Sequence, residues 1–294
     1  MAWTTETGPI KSDIMTSSPL VSTSWLHERL GSPDIRVVDA SWLFPQTGRS
    51  AWAEYEDAHI PGAVFFDIDE IADLDSGLPH MLPPAEKFAS RVQKLGIGDG
   101  STVVVYDAHG ILSAARVWWM FRAMGHLNIF VLDGGFLKWR AEGLPVDDAL
   151  TAPFARHFTA RPDWLLVKDY ADVMRALAAS AQVVDARSPG RFAGTEPEPR
   201  EGLKGGHMPG AVNLPYTALL RPDGTLKRPE DLARAFAEAG VDPAKPVTAS
   251  CGSGVSACVV LLALAVLGNR DGALYDGSWA EWGAKDGAAI AIGA

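Results

Sequence analysis

The chain has 294 residues, 47% of them hydrophobic and 21% charged, a globular composition long enough for two domains of ordinary size. Its formal net charge is −10 and it carries no basic run, which argues against nucleic acid or an anionic membrane as a partner, so an anionic substrate must be held by a few local cations. Its two cysteines, Cys251 and Cys258, are too few for a disulfide framework, and their spacing suits neither a metal site nor a redox pair; a reducing compartment, the cytoplasm, is expected.

Met1 to Pro19 is rich in Ser and Thr and lacks a basic segment followed by an apolar one. It is expected to be a disordered extension without a secretory signal, with Met15 as an alternative start. Residues 20–145 then alternate β-branched runs with helical stretches. Strands are expected at Ile35–Asp39, Val64–Phe66, Thr102–Tyr106 and Ile129–Leu132; helices at Trp25–Leu30, Ala85–Leu95, Ser113–Met124 and Phe136–Glu142. Val146 to Pro162, proline-marked and without periodicity, reads as a linker. Residues 163–294 repeat the pattern, with helices at Lys168–Ala178, Pro229–Ala239, Ser256–Leu267 and Ala280–Ala284 and strands at Val183–Asp185, Ala211–Asn213, Val247–Ser250 and Ala273–Tyr275. Such alternation predicts an α/β fold, in each half a parallel sheet flanked by helices on both faces. The longest apolar run, Ala257 to Leu267, is too short to span a bilayer.

The two halves are copies. Val37-Val38-Asp39-Ala40 matches Val183-Val184-Asp185-Ala186, and His59-Ile60-Pro61-Gly62-Ala63-Val64 matches His207-Met208-Pro209-Gly210-Ala211-Val212. Thr102–Asp107 aligns with Pro246–Cys251, and Asp133-Gly134-Gly135 through Trp139 aligns with Asp276-Gly277-Ser278 through Trp282. Four blocks in one order at nearly constant spacing define a duplication.

Cys251-Gly252-Ser253-Gly254-Val255-Ser256 lies between a strand and a helix, at the carboxyl end where open α/β sheets bind ligands. Backbone amides and the positive end of the helix favour thiolate over thiol, and the glycines allow the amides to form an anion nest. A core cysteine beside a turn is the plainer reading of a lone Cys. The twin position holds Asp107, in a loop one residue longer and without a thiol, so thiol chemistry is confined to the second half and the first serves as scaffold and cleft wall.

These features, with Ser113-Ala114-Ala115-Arg116-Val117-Trp118-Trp119-Met120, the stretch Arg191-Phe192-Ala193-Gly194-Thr195-Glu196-Pro197-Glu198-Pro199-Arg200, and Tyr275-Asp276-Gly277-Ser278-Trp279, resemble the two-domain rhodanese family from about Leu20 to Trp282. The resemblance implies two tandem rhodanese-like domains, the first non-catalytic, and a sulfurtransferase that carries sulfur as a persulfide on Cys251. It puts Arg191 and Arg200 in the substrate site, where guanidinium forks suit a carboxylate and a keto oxygen. Ser253 is a candidate for hydrogen bonding or proton transfer, and Gly252, Gly254, Val255 and Ser256 complete the substrate loop. Ser256 stands where the family usually has Thr, and either can cap the following helix.

Thiosulfate-using members of the family carry basic residues directly after the cysteine, whereas Gly252-Ser253-Gly254 is neutral. The neutral loop favours 3-mercaptopyruvate as the small-molecule donor, with cyanide, a small thiol or a reduced protein such as thioredoxin as acceptor. A thiosulfate:cyanide sulfurtransferase and a non-catalytic rhodanese-like binding module are the alternatives. A phosphatase loop needs an arginine where Ala257 stands. No metal and no organic cofactor are implied. His59 and Arg116 are candidate cleft residues with structural readings beside them: His59 and His207 share a turn motif, and Arg116 is expected to be buried with Asp39 or Asp107. Asp39 and Asp185 are expected to tie down loops, and Cys258 to sit in the core.

Overall fold

The computed structural model describes residues 18–293. The expected disordered extension, residues 1–19, and the alternative start at Met15 lie outside the described residues, apart from Ser18 and Pro19.

In the first half β1 (Leu20–Val21), β2 (Ile35–Asp39), β3 (Val64–Phe65), β4 (Thr102–Tyr106) and β5 (Ile129–Leu132) form a parallel sheet in the order β1-β5-β4-β2-β3. The α-helices that follow them in turn are α1 (Thr23–His27), α2 (Ala51–Asp57), α3 (Ala85–Lys94), α4 (Ser113–Ala123) and α5 (Gly135–Ala141). The second half repeats the permutation. Strands β6 (Val167–Lys168), β7 (Gln182–Asp185), β8 (Val212–Asn213), β9 (Val247–Ser250) and β10 (Ala273–Tyr275) are ordered β6-β10-β9-β7-β8, with helices α6 (Tyr170–Ala178), α7 (Pro189–Ala193), α8 (Pro229–Glu238), α9 (Ala257–Val266) and α10 (Ser278–Trp282).

Side-chain alternation along β4 explains the three layers. Val103 and Val105 face one apolar cluster with Phe88 and Val92 of α3 and the body of α4. Val104 and Tyr106 face the other, with Leu26 of α1, Tyr55 of α2 and Trp139 of α5. The larger cluster continues into the second half, because α4 and α9 pack on each other. Helix α9 is buried from Ala257 to Ala265, as a helix without a polar face must be.

The short elements escape periodicity. The edge strands β1 and β6 have two residues each, and α2 and α7 have seven and five, too few to display a repeat. Helix α6 begins at Tyr170 instead of Lys168, because Asp169 and Asp172 form a capping box and Lys168 pairs in β6. Residues 148–163 form neither helix nor strand. They are strapped to the first sheet's helices: Arg156 N donates to Gln93 O at 3.2 Å, Arg161 N to Met124 O at 2.8 Å, and Phe158 is buried against Phe88 and Phe121. Among the described residues no helix is long and apolar enough to cross a membrane.

Candidate active site

Cys251 follows the last residue of β9, and the loop runs from there into α9. Its carbonyl accepts Trp279 N at 3.0 Å, the Gly252 carbonyl accepts Ala280 N at 2.9 Å, and Cys251 N donates to Ser278 Oγ at 3.2 Å. Ser278 is held at φ 49° and donates on to Tyr275 O, so the start of α10 forms the bed of the loop. Among the described residues, no acceptor takes the amides of Gly252, Ser253, Gly254, Val255 or Ser256. Buried backbone donors are rarely left so, and a row of them suits an anion.

The twin loop shows what fills such a nest. Asp107 turns its carboxylate back onto its own loop, accepting from His109 N at 2.8 Å, Leu112 N at 2.7 Å and Ala114 N at 2.8 Å. Ser41 Oγ accepts Ala108 N at 3.0 Å. The first half thus carries a built-in anion where the second half carries a thiol and free amides.

Cys251, Ser253, Arg191 and Arg200 line one cavity of about 400 Å³, with Trp42 and Phe44 of the first half closing its far wall. Arg191 lies on α7, whose N-cap Ser188 accepts its amide. Its guanidinium is forked onto Glu198, Nε lying 3.1 Å from Oε2. The Glu198 side chain is buried and also takes Arg187 Nη1 at 2.7 Å, while Arg187 holds both oxygens of Asp185 and stacks on Trp279 at 4.1 Å. This buried carboxylate–guanidinium ladder fixes Arg191 over the loop: a Cβ on Gly252 would lie 2.9 Å from its Nη2. Arg200 Nη2 reaches Ser253 Oγ at 3.3 Å. Burial draws the Arg200 guanidinium below its ordinary value, opposed chiefly by the charge of Cys251.

Ser253 has a second partner that the sequence reading did not contain. His80 Nδ1 lies 3.0 Å from Ser253 Oγ, and His80 Nε2 lies 3.0 Å from Asp69 Oδ1. Trp42 Nε1 donates to the other Asp69 oxygen at 3.0 Å and its ring packs edge-on against His80. The hydrogen bond from His80 holds the Asp69 carboxyl below its usual value. Asp69 and His80 come from the connection between β3 and α3, so the first half supplies the His and Asp of a Ser–His–Asp hydrogen-bonded chain that ends on the loop of the second. The signal for His80 was available: the connection after β8 has no histidine at the matching place. His80 also sits at φ 60°, a strained backbone for a residue with a side chain.

Four expectations are corrected. Arg116 is buried, but its partners are neither Asp39 nor Asp107: Nη1 pairs with Asp276 Oδ1 at 2.6 Å and reaches Gly254 O at 3.3 Å, and Nη2 donates to His80 O. Helix α4 faces the second half, so its charge is met there. His59 does not line the cavity. It is fully buried, with Nδ1 2.7 Å from Tyr55 O and its ring stacked on Tyr55, and His207 repeats this against Phe192. Ser256 lines the cavity but makes no capping hydrogen bond to α9. Gly252 and Val255 also line it; Gly254, at φ 74°, instead faces Arg116 and Asp276, where a Cβ would lie 3.0 Å from Arg116 Nη1 and Asp276 O. Cys258 is fully buried in α9 with Sγ on Gly254 O, and burial pushes its thiol far up. Asp39 and Asp185 do tie loops, accepting Ser41 N and Arg187 N.

The duplicated α/β halves, one carrying a cysteine loop and the other a filled one, define a tandem rhodanese architecture. The Rhodanese-like domain model matches residues 22–142 and again 169–285, and the chain belongs to that family. It is 47% identical over 270 residues to human 3-mercaptopyruvate sulfurtransferase, covering 90% of this chain and 91% of that one. It is 46% identical over 271 residues to a thiosulfate sulfurtransferase of Cricetulus griseus, with the same coverage. The crystal structure of a 3-mercaptopyruvate sulfotransferase from Escherichia coli superposes with a TM-score of 0.82 at 40% identity, covering 90% of this chain and all of that one.

Proposed function

We propose that the protein moves sulfur from 3-mercaptopyruvate to a thiol or cyanide acceptor through a persulfide on Cys251. The observation that carries this reading is the contrast between the two loops: the amides that Asp107 satisfies in the first half have no acceptor in the second, where the thiol stands. A persulfide anion is the charge that such a loop stabilises.

The placement of the side chains supports the following steps. Arg191 and Arg200 bind the donor's carboxylate and keto oxygen. Ser253, backed by His80 and Asp69, takes the proton of the donor thiol. The Cys251 thiolate attacks the donor sulfur, the new S–S bond forms as the C–S bond breaks, and the electron pair goes into an enolate held by the arginines. The proton held by the relay returns to that carbon, and pyruvate leaves. An acceptor thiolate or cyanide then attacks the outer sulfur and regenerates the Cys251 thiolate. Small thiols and a reduced protein such as thioredoxin are the acceptors in this reading, and the cytoplasm is its setting.

The donor is read from where the cations lie. Gly252, Ser253 and Gly254 put no charge beside the sulfur; one of the two arginines is already forked onto Glu198. A keto acid, with a carboxylate and a ketone set back from its sulfur, suits that layout better than thiosulfate, whose sulfonate adjoins the sulfur. At equal donor concentrations turnover with mercaptopyruvate is therefore expected to exceed that with thiosulfate by at least about tenfold, one arginine-scale hydrogen bond. Faster turnover with thiosulfate contradicts this choice of donor.

A further inference from the structure

A second cavity, of about 510 Å³, opens beside the first and shares four wall residues with it: Phe44, Leu112, Tyr216 and Thr217. One side is the inactive loop of the first half, through His109 and Ile111; the other is the turn carrying Arg221 and Pro222 from the second half. It is a built space. Gly110, at φ 101°, and Gly224, at φ 79°, close the contact between the two turns, and a Cβ on Gly110 would lie 2.7 Å from Gly224 Cα. Leu226 N donates across the halves to Asp133 Oδ1 at 2.9 Å, and Arg221 N bonds Thr225 O at 2.8 Å.

The walls are mostly apolar, with two polar groups free to meet a ligand. His109 Nε2 is buried and has no hydrogen-bond partner among the described residues. Among the described residues the guanidinium of half-buried Arg221 has no hydrogen-bond or ion-pair partner, although Asp133 and Asp223 lie within electrostatic reach. Both carboxylates are engaged elsewhere, Asp133 by Leu226 N and Asp223 by Thr225. The partition residue Tyr216 is close enough to Cys251 to sense its charge.

We propose that this cavity receives the sulfur acceptor, and that the acceptor it selects is a small thiol carrying a carboxylate, with Arg221 as counter-charge. The proposal rests on the persulfide reading of Cys251. The acceptor thiolate attacks the outer sulfur of the Cys251 persulfide; a bond forms between those two sulfurs, the bond from the outer sulfur to Sγ breaks, and its electron pair returns to Cys251. The outer sulfur, already deprotonated in the loading step, leaves with the acceptor as its persulfide anion, so no oxidant or reductant is consumed. Donor and acceptor then use separate seats, and the inactive loop that ends in Asp107 serves as the acceptor's wall.

The test is single-turnover discharge of the protein loaded with donor and then desalted, using mercaptoacetate, 2-mercaptoethanol and cyanide as acceptors. Arg221→Gln is expected to slow mercaptoacetate by about threefold to fivefold, the scale of a partly screened ion pair, and to leave 2-mercaptoethanol and cyanide unchanged. Leu137→Trp, at a position 53% exposed that lines this cavity but not the first, is expected to slow both thiols and spare cyanide. An unchanged preference between the thiols in Arg221→Gln, or equal slowing of all three acceptors, overturns the proposal. Failure to load sulfur at all instead refutes the transfer reading beneath it.

Discussion

His80→Ala lowers kcat with 3-mercaptopyruvate by about 10²- to 10⁴-fold, the contribution of a positioned acid–base group, and leaves KM for the donor nearly unchanged. The split follows from the site's division of labour. In the proposed mechanism Arg191 and Arg200 bind the donor, whereas His80 contacts Ser253 at 3.0 Å and neither of those arginines. Ser253→Ala is expected to lose a similar factor, and the double variant no more than either single one, because the two act as a unit. Asp69→Asn keeps the hydrogen-bonding shape but withdraws the charge that orients and balances His80, so it falls between wild type and His80→Ala. Steady-state kinetics on the four variants measures this. Multiplicative losses in the double variant, or a rise in KM without a fall in kcat, contradict the relay.

Asp276→Ala destabilises the protein by about 3–5 kcal/mol, the cost of stranding one member of a buried ion pair. Asp276 and Arg116 have side chains 3% and 0% exposed. Removing the carboxylate leaves the Arg116 guanidinium in the interior without its counter-ion, and its Nε already has no hydrogen-bond partner among the described residues. It also frees Leu82 N, which donates to Asp276 Oδ2 at 2.6 Å. Because Arg116 holds His80 O and Gly254 O together, the loss also unseats the relay. Denaturant unfolding checks the magnitude, and a loss below about 1 kcal/mol, the scale of an exposed pair, contradicts the burial argument. The pair Arg116→Met with Asp276→Leu is expected to recover part of the stability but not the activity, since matched apolar replacements remove the stranded charge.

The duplication made the architecture legible, since each half repeats its blocks and each block falls on a strand end or a turn. Cys251 stands in a local strand–loop–helix motif, while Arg191 and Arg200 enter only through the family resemblance; all three line one cavity. Asp69 and His80 were not legible, because their partner Ser253 stands more than 170 positions away in the other half and nothing local links them. Arg116 was paired with carboxylates of its own half because the repeat suggests self-contained domains. The all-apolar stretch of α9 held the corrective hint, since a helix buried on every side needs a second layer, and α4 supplies it. Glu198, set between two prolines in a loop with other carboxylates, carries no local signal of burial, yet it joins Arg187 to Arg191 at 1% side-chain exposure.

The central claim is that Cys251, and not Cys258, carries the sulfur. Intact-protein mass spectrometry after addition of 3-mercaptopyruvate tests it directly. The account predicts a gain of one sulfur atom in the wild type and in Cys258→Ser, reversed by cyanide and absent in Cys251→Ser. A gain that persists in Cys251→Ser, or that vanishes in a folded Cys258→Ser, contradicts it.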